Sequence, residues 1–150
     1  RRRVRAVDDV LLARLEAAGI DLHDGEMELP EDGVARKLVP YDLPYAVYYS
    51  SIGDDDRPRK SGRRARRSVF FSITYVGADR NQAKACGERI RAELQDQLIE
   101  IPGHRSWLCQ LQESQRVRRD DEVVRPDGSP LFYGVDNYAL PVTLPAQTPA

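Results

Sequence analysis

The chain of 150 residues is 41% hydrophobic and 31% charged, with a formal net charge of −1. This length suffices for one domain with a modest core, and the apolar content is too high for a disordered protein. With so small a net charge, attraction to nucleic acid or to a membrane surface would need a local patch of charge. No apolar run approaches the roughly 20 residues of a membrane helix and no signal-peptide pattern opens the sequence, so we expect neither a membrane span nor a secreted protein.

The two cysteines, Cys86 and Cys109, lie far apart in the sequence and form no CxxC motif. This usage is not that of a disulfide framework and is compatible with a reducing cytoplasm. Cys86 falls on the apolar stripe of a predicted helix, and Cys109 falls on the inward side of a predicted strand. We therefore expect both to be buried core residues rather than nucleophiles.

The first third of the chain predicts one helix followed by irregular structure. Apolar residues recur at three- and four-residue steps over residues 4–18, and Gly19 follows as a stop signal, so we expect a helix there. Prolines and glycines interrupt the pattern over residues 19–44. That stretch favours irregular chain with one short strand around Leu38 and Val39.

The middle of the chain has the clearest strand patterns. Residues 45–51 and 68–76 are rich in aromatic and β-branched side chains, which predicts two strands. The second stretch alternates so that four apolar residues share one face: Val69, Phe71, Ile73 and Tyr75. Asp79 fits the N-cap of a second helix over residues 79–98.

The last third predicts two further strands. Residues 106–117 alternate, and a Pro-Asp-Gly turn signal separates them from a final strand over residues 131–143. The apolar alternation of the final strand changes phase across Asp136 and Asn137, which predicts a β-bulge at that point. Residues 145–150 are expected to form a disordered tail.

This element order predicts an α+β fold, with a four-stranded, mostly antiparallel sheet and two helices packed on one face. We expect a single domain over residues 1–144. The other face of the sheet would carry Tyr48, Phe70 and Phe132. Aromatic side chains exposed on a sheet face favour an oligomer in which a partner covers them.

The connection between the two middle strands has the most unusual charge pattern. Three aspartates at residues 54–56 precede seven basic residues, which leaves about +4 on this segment. The seven are Arg57, Arg59, Lys60, Arg63, Arg64, Arg66 and Arg67. A connection this long is usually functional or disordered. Three interpretations stay open: non-specific contact with nucleic-acid phosphates, a solvated loop, and an arm that orders against an acidic surface of a neighbouring subunit.

Residue types that carry catalysis are present without the spacing that the chemistry needs. His23 and His104 lie far apart in predicted loops, which does not favour a metal site. The acidic runs 54–56 and 120–122 are consecutive residues in predicted loops, where neighbouring side chains point apart. There is no glycine-rich phosphate-binding motif. We therefore expect no enzyme, no catalytic residue, no metal and no cofactor.

The sequence resembles the tail terminator proteins of siphophages, the long-tailed bacteriophages. The resemblance rests on the leading helix, the Pro-Tyr-Ala-Val-Tyr strand that begins at Pro44, the long hairpin connection and the strand that runs into the second helix. It also rests on the closing Tyr-Gly-Val-Asp-Asn-Tyr-Ala-Leu-Pro-Val strand, from Tyr133 to Val142. It extends over most of the chain, from Val7 to Leu144.

The resemblance implies a structural virion protein that forms a ring, expected to be a hexamer. The ring would cap the tail tube, end its polymerisation and join the tail to the head-side connector. The implied partners are further copies of the chain, the tail tube protein and the connector protein, with non-specific contact to passing DNA and no membrane contact. Assembly would occur in the host bacterial cytoplasm, and the mature protein would lie at the tail neck. The basic segment 57–67 would then meet the tube, a neighbouring subunit or DNA.

Three alternatives remain at this point. One is another neck or tail-completion protein of a phage, with the same assembly logic in a different layer. The second is a nucleic-acid-binding module that uses the basic 57–67 loop. A small nuclease or other hydrolase is the third and has the least support.

Overall fold

The computed structural model describes residues 2–25, 37–38, 42–50 and 66–143. Two helices and seven strands lie within these ranges. The helices are α1 (Arg2–Ala17) and α2 (Arg80–Leu94). The strands are β1 (Leu22–Asp24), β2 (Lys37–Leu38), β3 (Tyr45–Ser50), β4 (Arg66–Gly77), β5 (Arg105–Ser106), β6 (Gln110–Val124) and β7 (Pro130–Thr143).

All the strands belong to one mixed sheet with the order β1-β3-β4-β7-β6-β2, and β5 also pairs with β7. The long central pairs are antiparallel, whereas the short strands β1 and β2 pair in parallel with β3 and β6. The α+β class is confirmed. The predicted number of four strands is wrong, because β1, β2 and β5 contain only two or three residues each and show no apolar period in the sequence.

Both helices pack on the same side of the sheet and build the main core with it. Their apolar stripes contribute Leu11 and Leu15 from α1 and Ala83, Ile90 and Leu94 from α2. The sheet contributes four inward residues of β4 and three of β7: Val69, Phe71, Ile73, Tyr75, Tyr138, Leu140 and Val142. Apolar residues recur with a period of 3.6 on the helices and of 2 on β4, and both sets therefore face one shared core.

Helix α2 starts where the sequence predicts it and ends earlier. The carboxylate of Asp79 accepts a hydrogen bond from the Gln82 backbone N–H at 2.8 Å, and the Gln82 side-chain oxygen accepts from the Ala78 N–H at 2.7 Å. This reciprocal arrangement satisfies two helix-end donors. The helix ends at Leu94 rather than at residue 98, because the chain turns to pair Leu98 with Leu108 across an isolated antiparallel bridge.

Two aromatic residues lie on the opposite face from the one predicted. Tyr48 is 4% exposed on the helix side of β3, and Phe132 packs against the same core below Arg80, whose guanidinium carbon is 6.0 Å from the ring centroid. Phe70 alone of the predicted three lies on the side away from the helices. We call that side the distal face; its apolar residues include Tyr45, Tyr49 and Phe70.

The predicted β-bulge in β7 is absent. Strand β7 pairs with β4 without a register break, from Phe132 opposite Gly77 to Thr143 opposite Arg66. The apparent change of phase arises because Asp136 is a charged residue in an inward position, fully buried on the helix side. The register irregularities occur in β6 instead, at three places along its pairing with β7.

Strand β6 is longer than predicted and includes residues 118–122, which the sequence analysis assigned to a charged loop. The strand continues to Val124 and is solvent-exposed along most of its length. Asp120 accepts backbone hydrogen bonds from Glu122 at 2.9 Å and Val123 at 3.1 Å. The carboxylate thereby holds an irregular turn of the strand, so the acidic run 120–122 is part of the sheet and not a loop.

A hydrogen bond from Tyr48 connects β3 to α1, and replacement of Tyr48 by phenylalanine tests its contribution to stability. Its hydroxyl donates to Asp8 Oδ1 at 2.6 Å, and burial together with this hydrogen bond raises the pKa of Tyr48, so the hydroxyl stays a donor. We expect Tyr48→Phe to lower the free energy of unfolding by about 1–2 kcal/mol, measured by urea denaturation. Tyr49→Phe, on the exposed side of the same strand, should change it by less than about 0.5 kcal/mol. Equal losses in the two variants would contradict this role.

Candidate interaction surface

Only two of the seven predicted basic site residues lie in the described part of the chain. Arg66 and Arg67 are the first residues of β4 and stand opposite Thr143 and Val142 of β7. Five others lie outside the described residues: Arg57, Arg59, Lys60, Arg63 and Arg64. The aspartates at 54–56 and the predicted tail at 145–150 also lie outside them. A contact role for the basic segment stays a prediction.

Four large hydrophobic side chains are strongly exposed among the described residues, and two of them, Tyr49 and Phe70, lie on the distal face. Tyr49 is 45% exposed, Phe70 44%, Leu98 54% and Leu108 48%. Tyr49 and Phe70 alternate with inward neighbours on β3 and β4. Leu108 and Leu98 pair with each other, and each is followed by a fully buried core residue. The two leucines lie at the margin of the sheet, and Leu98 lines a separate depression with Glu100 and Arg105.

Tyr49 and Phe70 lie near one end of the distal face. Phe70 stands opposite Ala139 of β7, and Ala139 in turn stands opposite Gln110, two residues beyond Leu108. A shallow groove of about 400 Å³ lies over the strands here, and Tyr49 and Phe70 are among its walls. Its polar lining consists of Ser50, Ser72, Gln112, Glu113 and Asn137. Only one of these residues is charged, in a chain that is 31% charged.

The other half of the distal face is aromatic with a charged border. Tyr45, Val76 and Leu131 form a small buried cluster, against which Tyr133 packs. A second groove of about 500 Å³ runs along this half. One wall is lined by tyrosines, and the other consists of the charged end of β6, residues 118–122. The Arg118 guanidinium carbon lies 5.4 Å from the Tyr133 ring centroid, a cation–π distance.

Aromatic residues in a charge-poor centre with a charged border are typical of surfaces that bind another protein. Tyrosine offers a large apolar contact area and one hydrogen-bonding group, and charged residues are depleted in the centre of protein interfaces. The distal face has both properties. Aromatic residues were predicted on this face, but Tyr48 and Phe132 lie on the other one. Tyr49 was missed, because the assignment of faces depends on the exact register of each strand.

A polar cluster on the helix side was missed by sequence reasoning. Arg91 of α2 donates to both carboxylate oxygens of the fully buried Asp136, at 2.8 and 2.9 Å. The hydroxyls of Tyr75 and Tyr138 lie 3.4 and 3.3 Å from the same carboxylate, and Arg91 also donates to Ser114 Oγ at 2.5 Å. The hydrogen bond to Asp136 is the main reason that the pKa of Arg91 is raised.

This cluster is a structural connection and not a reactive centre. The carboxylate of Asp136 is occupied by a bidentate arginine and two hydroxyls, which leaves it saturated by protein groups. The pair joins the last turn of α2 to the central strand β7. Arg91 and Asp136 are 45 residues apart in the sequence and give no spacing signal, so only the fold brings them together.

The candidate chemical residues are separate from one another within the described ranges. His23 Nε2 is 3.0 Å from Asp21 Oδ1, and His104 Nδ1 is 3.0 Å from the Pro102 carbonyl oxygen. Burial raises the pKa of the Cys86 thiol to about 11 and that of Cys109 to about 12, so both are protonated at neutral pH. The prediction that both are buried is confirmed.

No group of three or more histidine, cysteine, aspartate or glutamate residues within the described ranges could hold a metal ion. None of the helices described is long and apolar enough to cross a membrane.

Comparison with known proteins finds a likeness of structure. The sequence matches no family model, and it matches none of the curated proteins. A chain in a solved structure described as the virion of a native gene transfer agent (GTA) particle superimposes with a TM-score of 0.53 and 15% sequence identity. The alignment covers 93% of this chain and 93% of that chain. The two proteins therefore share a fold over nearly their whole length.

Proposed function

We propose that this chain is a structural subunit of a phage-type virion. The observation that supports this most is the shared fold with a chain of a gene transfer agent virion, over 93% of both chains. A similarity of one motif alone would not extend over that share of both chains. At 15% identity the likeness is one of fold, so the role itself is an inference.

The distal face supports the same proposal independently. A protein that works alone in solution rarely exposes large aromatic side chains together on one face of a sheet. Here Tyr49 and Phe70 are each more than two-fifths exposed on that face and line the same groove. A subunit that is covered by neighbours in a particle has a use for such a surface.

Within the class of virion proteins we propose a tail terminator. The element order of leading helix, hairpin, helix and closing hairpin agrees with the sequence resemblance to that family. The subunit would form a ring, expected to be a hexamer, at the tail neck. The ring would cap the tail tube, stop its growth and join the connector, after assembly in the host cytoplasm, without catalysis and without a cofactor.

Tube polymerisation tests the finer proposal. The full chain is added to the tail tube protein of the same genome while that protein polymerises, and tube lengths are measured by negative-stain electron microscopy. We expect tubes that stop growing and show added density at one end, together with a six-fold species in native mass spectrometry. Unchanged tube lengths at saturating chain concentration would contradict tail termination, and a different assembly role, such as another neck protein, would remain to be tested with the connector.

Binding of DNA by the basic segment is the second candidate function. Seven basic residues at positions 57–67 favour contact with phosphates, which releases counterions and makes binding weaker as salt rises. We expect the variant with Arg63, Arg64, Arg66 and Arg67 changed to serine to reduce the slope of log affinity against log salt by about 3–4, measured by fluorescence anisotropy with duplex DNA. An unchanged slope would dismiss the segment as a DNA contact.

A further inference from the structure

We propose that one end of the sheet binds the phosphate backbone of nucleic acid through arginines from three separate parts of the chain. We call this the basic end. It comprises the start of α1, the start of β4 and strand β5, which together contain Arg2, Arg3, Arg5, Arg66, Arg67 and Arg105. This inference rests on the second candidate function, the binding of DNA, and adds to it four residues outside the segment 57–67. It is independent of the role as a tail terminator.

Strand pairing brings the start of β4 and strand β5 together. Arg66 and Arg105 both stand opposite Thr143, one on each side of β7. Neighbouring strands are about 4.8 Å apart, so the backbones of these two arginines are roughly 10 Å apart. Arg105 is exposed, and its guanidinium carbon lies 6.0 Å from the ring centroid of Trp107. The pairing therefore adds a solvent-accessible arginine, from a part of the chain distant in sequence, to the end of the segment 57–67.

Helix α1 begins toward the same end of the sheet. The carboxylate of Asp8 accepts hydrogen bonds from Tyr48 at 2.6 Å and from Ser50 at 3.2 Å, so this part of the helix lies beside the last residues of β3. Those residues are directed toward the start of β4, because β3 and β4 are antiparallel. The helix ends near the start of β3, where β1 follows it. Arg2 therefore lies beyond Asp8 in the direction of the basic end, about 9 Å further along the helix axis.

The stability of α1 does not explain the arginines at its start. The first turn of this helix contains no acidic residue, whereas Arg2, Arg3 and Arg5 all belong to it. The N-terminal end of a helix has a partial positive charge, so basic residues are disfavoured at these positions. A contact with an anionic partner would account for positive charge that the helix itself does not favour.

The excess of positive charge is local. The net charge of the chain is −1, yet the basic end contains six arginines at positions that the structure describes. Residues 118–127, at the opposite end of the sheet, contain three arginines and four carboxylates. Glu100 lines a depression together with Arg105 and offsets part of the positive charge there. A polyanion would therefore be attracted to one end of the molecule and not to the other.

The extent of the basic end fits a nucleic-acid backbone. From β5 across β7 and β4 to β3, the sheet extends over about 14 Å, which is the length of about four phosphates along one DNA strand. An arginine can donate two parallel hydrogen bonds to one phosphate. Contacts of this kind are made to the backbone and not to base edges, so we expect binding without sequence preference.

The experiment measures binding of the full chain to duplex DNA of random sequence by fluorescence anisotropy at several salt concentrations. Arg105→Ser and the double variant Arg3→Ser/Arg5→Ser remove charges from the basic end outside the segment 57–67. The matched controls are Arg119→Ser and Arg116→Ser/Arg119→Ser, which remove the same numbers of charges from exposed positions of β6. Circular dichroism and thermal unfolding establish that each variant is folded, and glutamine replaces serine at any position where the serine variant is not.

Each phosphate contact contributes about 0.9 to the slope of log affinity against log salt. We therefore expect Arg105→Ser to reduce the magnitude of the slope by about 1 and the double variant of α1 to reduce it by about 2, with both controls within about 0.3 of the unchanged chain. An effect at only one of the two places, or an equal effect of the controls, would overturn the composite site.

Two further results separate this inference from the candidate function on which it rests. If only the variant of the four arginines within the segment 57–67 reduces the slope, that segment binds DNA alone, and the inference is wrong while DNA binding stands. A chain that does not bind DNA at all overturns both, and the proposed place in a virion is unaffected. Competition with poly-glutamate tests the alternative of an acidic protein surface. If it displaces the DNA as well as unlabelled DNA does at equal charge, phosphate is not the preferred ligand and the inference is overturned.

Discussion

Replacing Arg91 with leucine is expected to destabilise the fold by about 3–5 kcal/mol, because it leaves a buried carboxylate without its counter-charge. Asp136 is 0% exposed, and Arg91 supplies both of its short hydrogen bonds. The two tyrosine hydroxyls at 3.3 and 3.4 Å are too distant to replace them. The remaining carboxylate must then bind a proton or admit water, and either change costs folding energy.

Urea denaturation at neutral pH measures this loss, with Lys84→Leu as the control. Lys84 is an exposed position on the same helix, so its loss removes one positive charge without uncovering a buried one. We expect the control to change the free energy of unfolding by less than about 0.5 kcal/mol. A similar small change for Arg91→Leu would show that Asp136 is not dependent on the arginine.

The double variant Arg91→Leu/Asp136→Leu tests whether the loss of stability comes from the uncompensated charge of Asp136. Removing both charges abolishes the uncompensated carboxylate, so the double variant should be more stable than Arg91→Leu alone by about 2 kcal/mol or more. If the double variant equals the single one, the loss comes from the packing of the arginine chain and not from the charge. A double-mutant cycle with these variants gives the coupling directly.

Local patterns were sufficient to predict the helices and the central hairpin. The N-cap at Asp79 and the alternation of β4 are readable because each depends on residues close together in sequence. The helix side of β4 emerged as predicted, with Val69, Phe71, Ile73 and Tyr75 inward. Side chains alternate between the two faces of a strand with a period of 2. Four apolar residues on one face of β4 therefore predict that this face is buried.

Long-range pairing could not be predicted in the same way. In β7 both faces carry apolar residues, since Leu131 is buried on the distal side and Tyr138 on the helix side. A buried Asp136 between them looks like an outward residue and suggested a bulge that does not exist. Asp136 can be buried because Arg91, from a helix distant in sequence, supplies the opposite charge and two hydrogen bonds. Pairing between residues 45 positions apart has no signature in composition or period.

The presence of aromatic residues on the distal face was predicted, but most of the residues assigned to it were wrong. Aromatic residues on a sheet face away from the helices were predicted, and Phe70 is one of them. Tyr49 was not, because its neighbour Tyr48 was assigned to that face, and Tyr48 is buried on the helix side. The strand register determines which residues share a face, and a shift of one residue exchanges the two faces.

Alanine at Gly134 is expected to cost about 2–3 kcal/mol, although alanine suits strand conformation better than glycine does. A Cβ atom at position 134 would lie 2.5 Å from Cε2 of Tyr75 and 2.6 Å from its hydroxyl oxygen. The ring cannot move away from the strand, because its other side meets α2 at Gly87, where a Cβ would lie 2.8 Å from the same ring. The tyrosine thus occupies the space between two glycines, one on the sheet and one on the helix.

A Tyr75→Leu background tests whether the ring is the cause. Leucine leaves room at position 134, so Gly134→Ala should cost less than about 1 kcal/mol there, and the difference between the two backgrounds is the coupling energy. Chemical denaturation of the four proteins provides it. If Gly134→Ala costs the same in both backgrounds, the strand backbone and not Tyr75 sets the requirement for glycine. If it stabilises the wild-type background, the spacing of α2 above β7 is looser than these contacts imply, and the helix can shift to admit a methyl group.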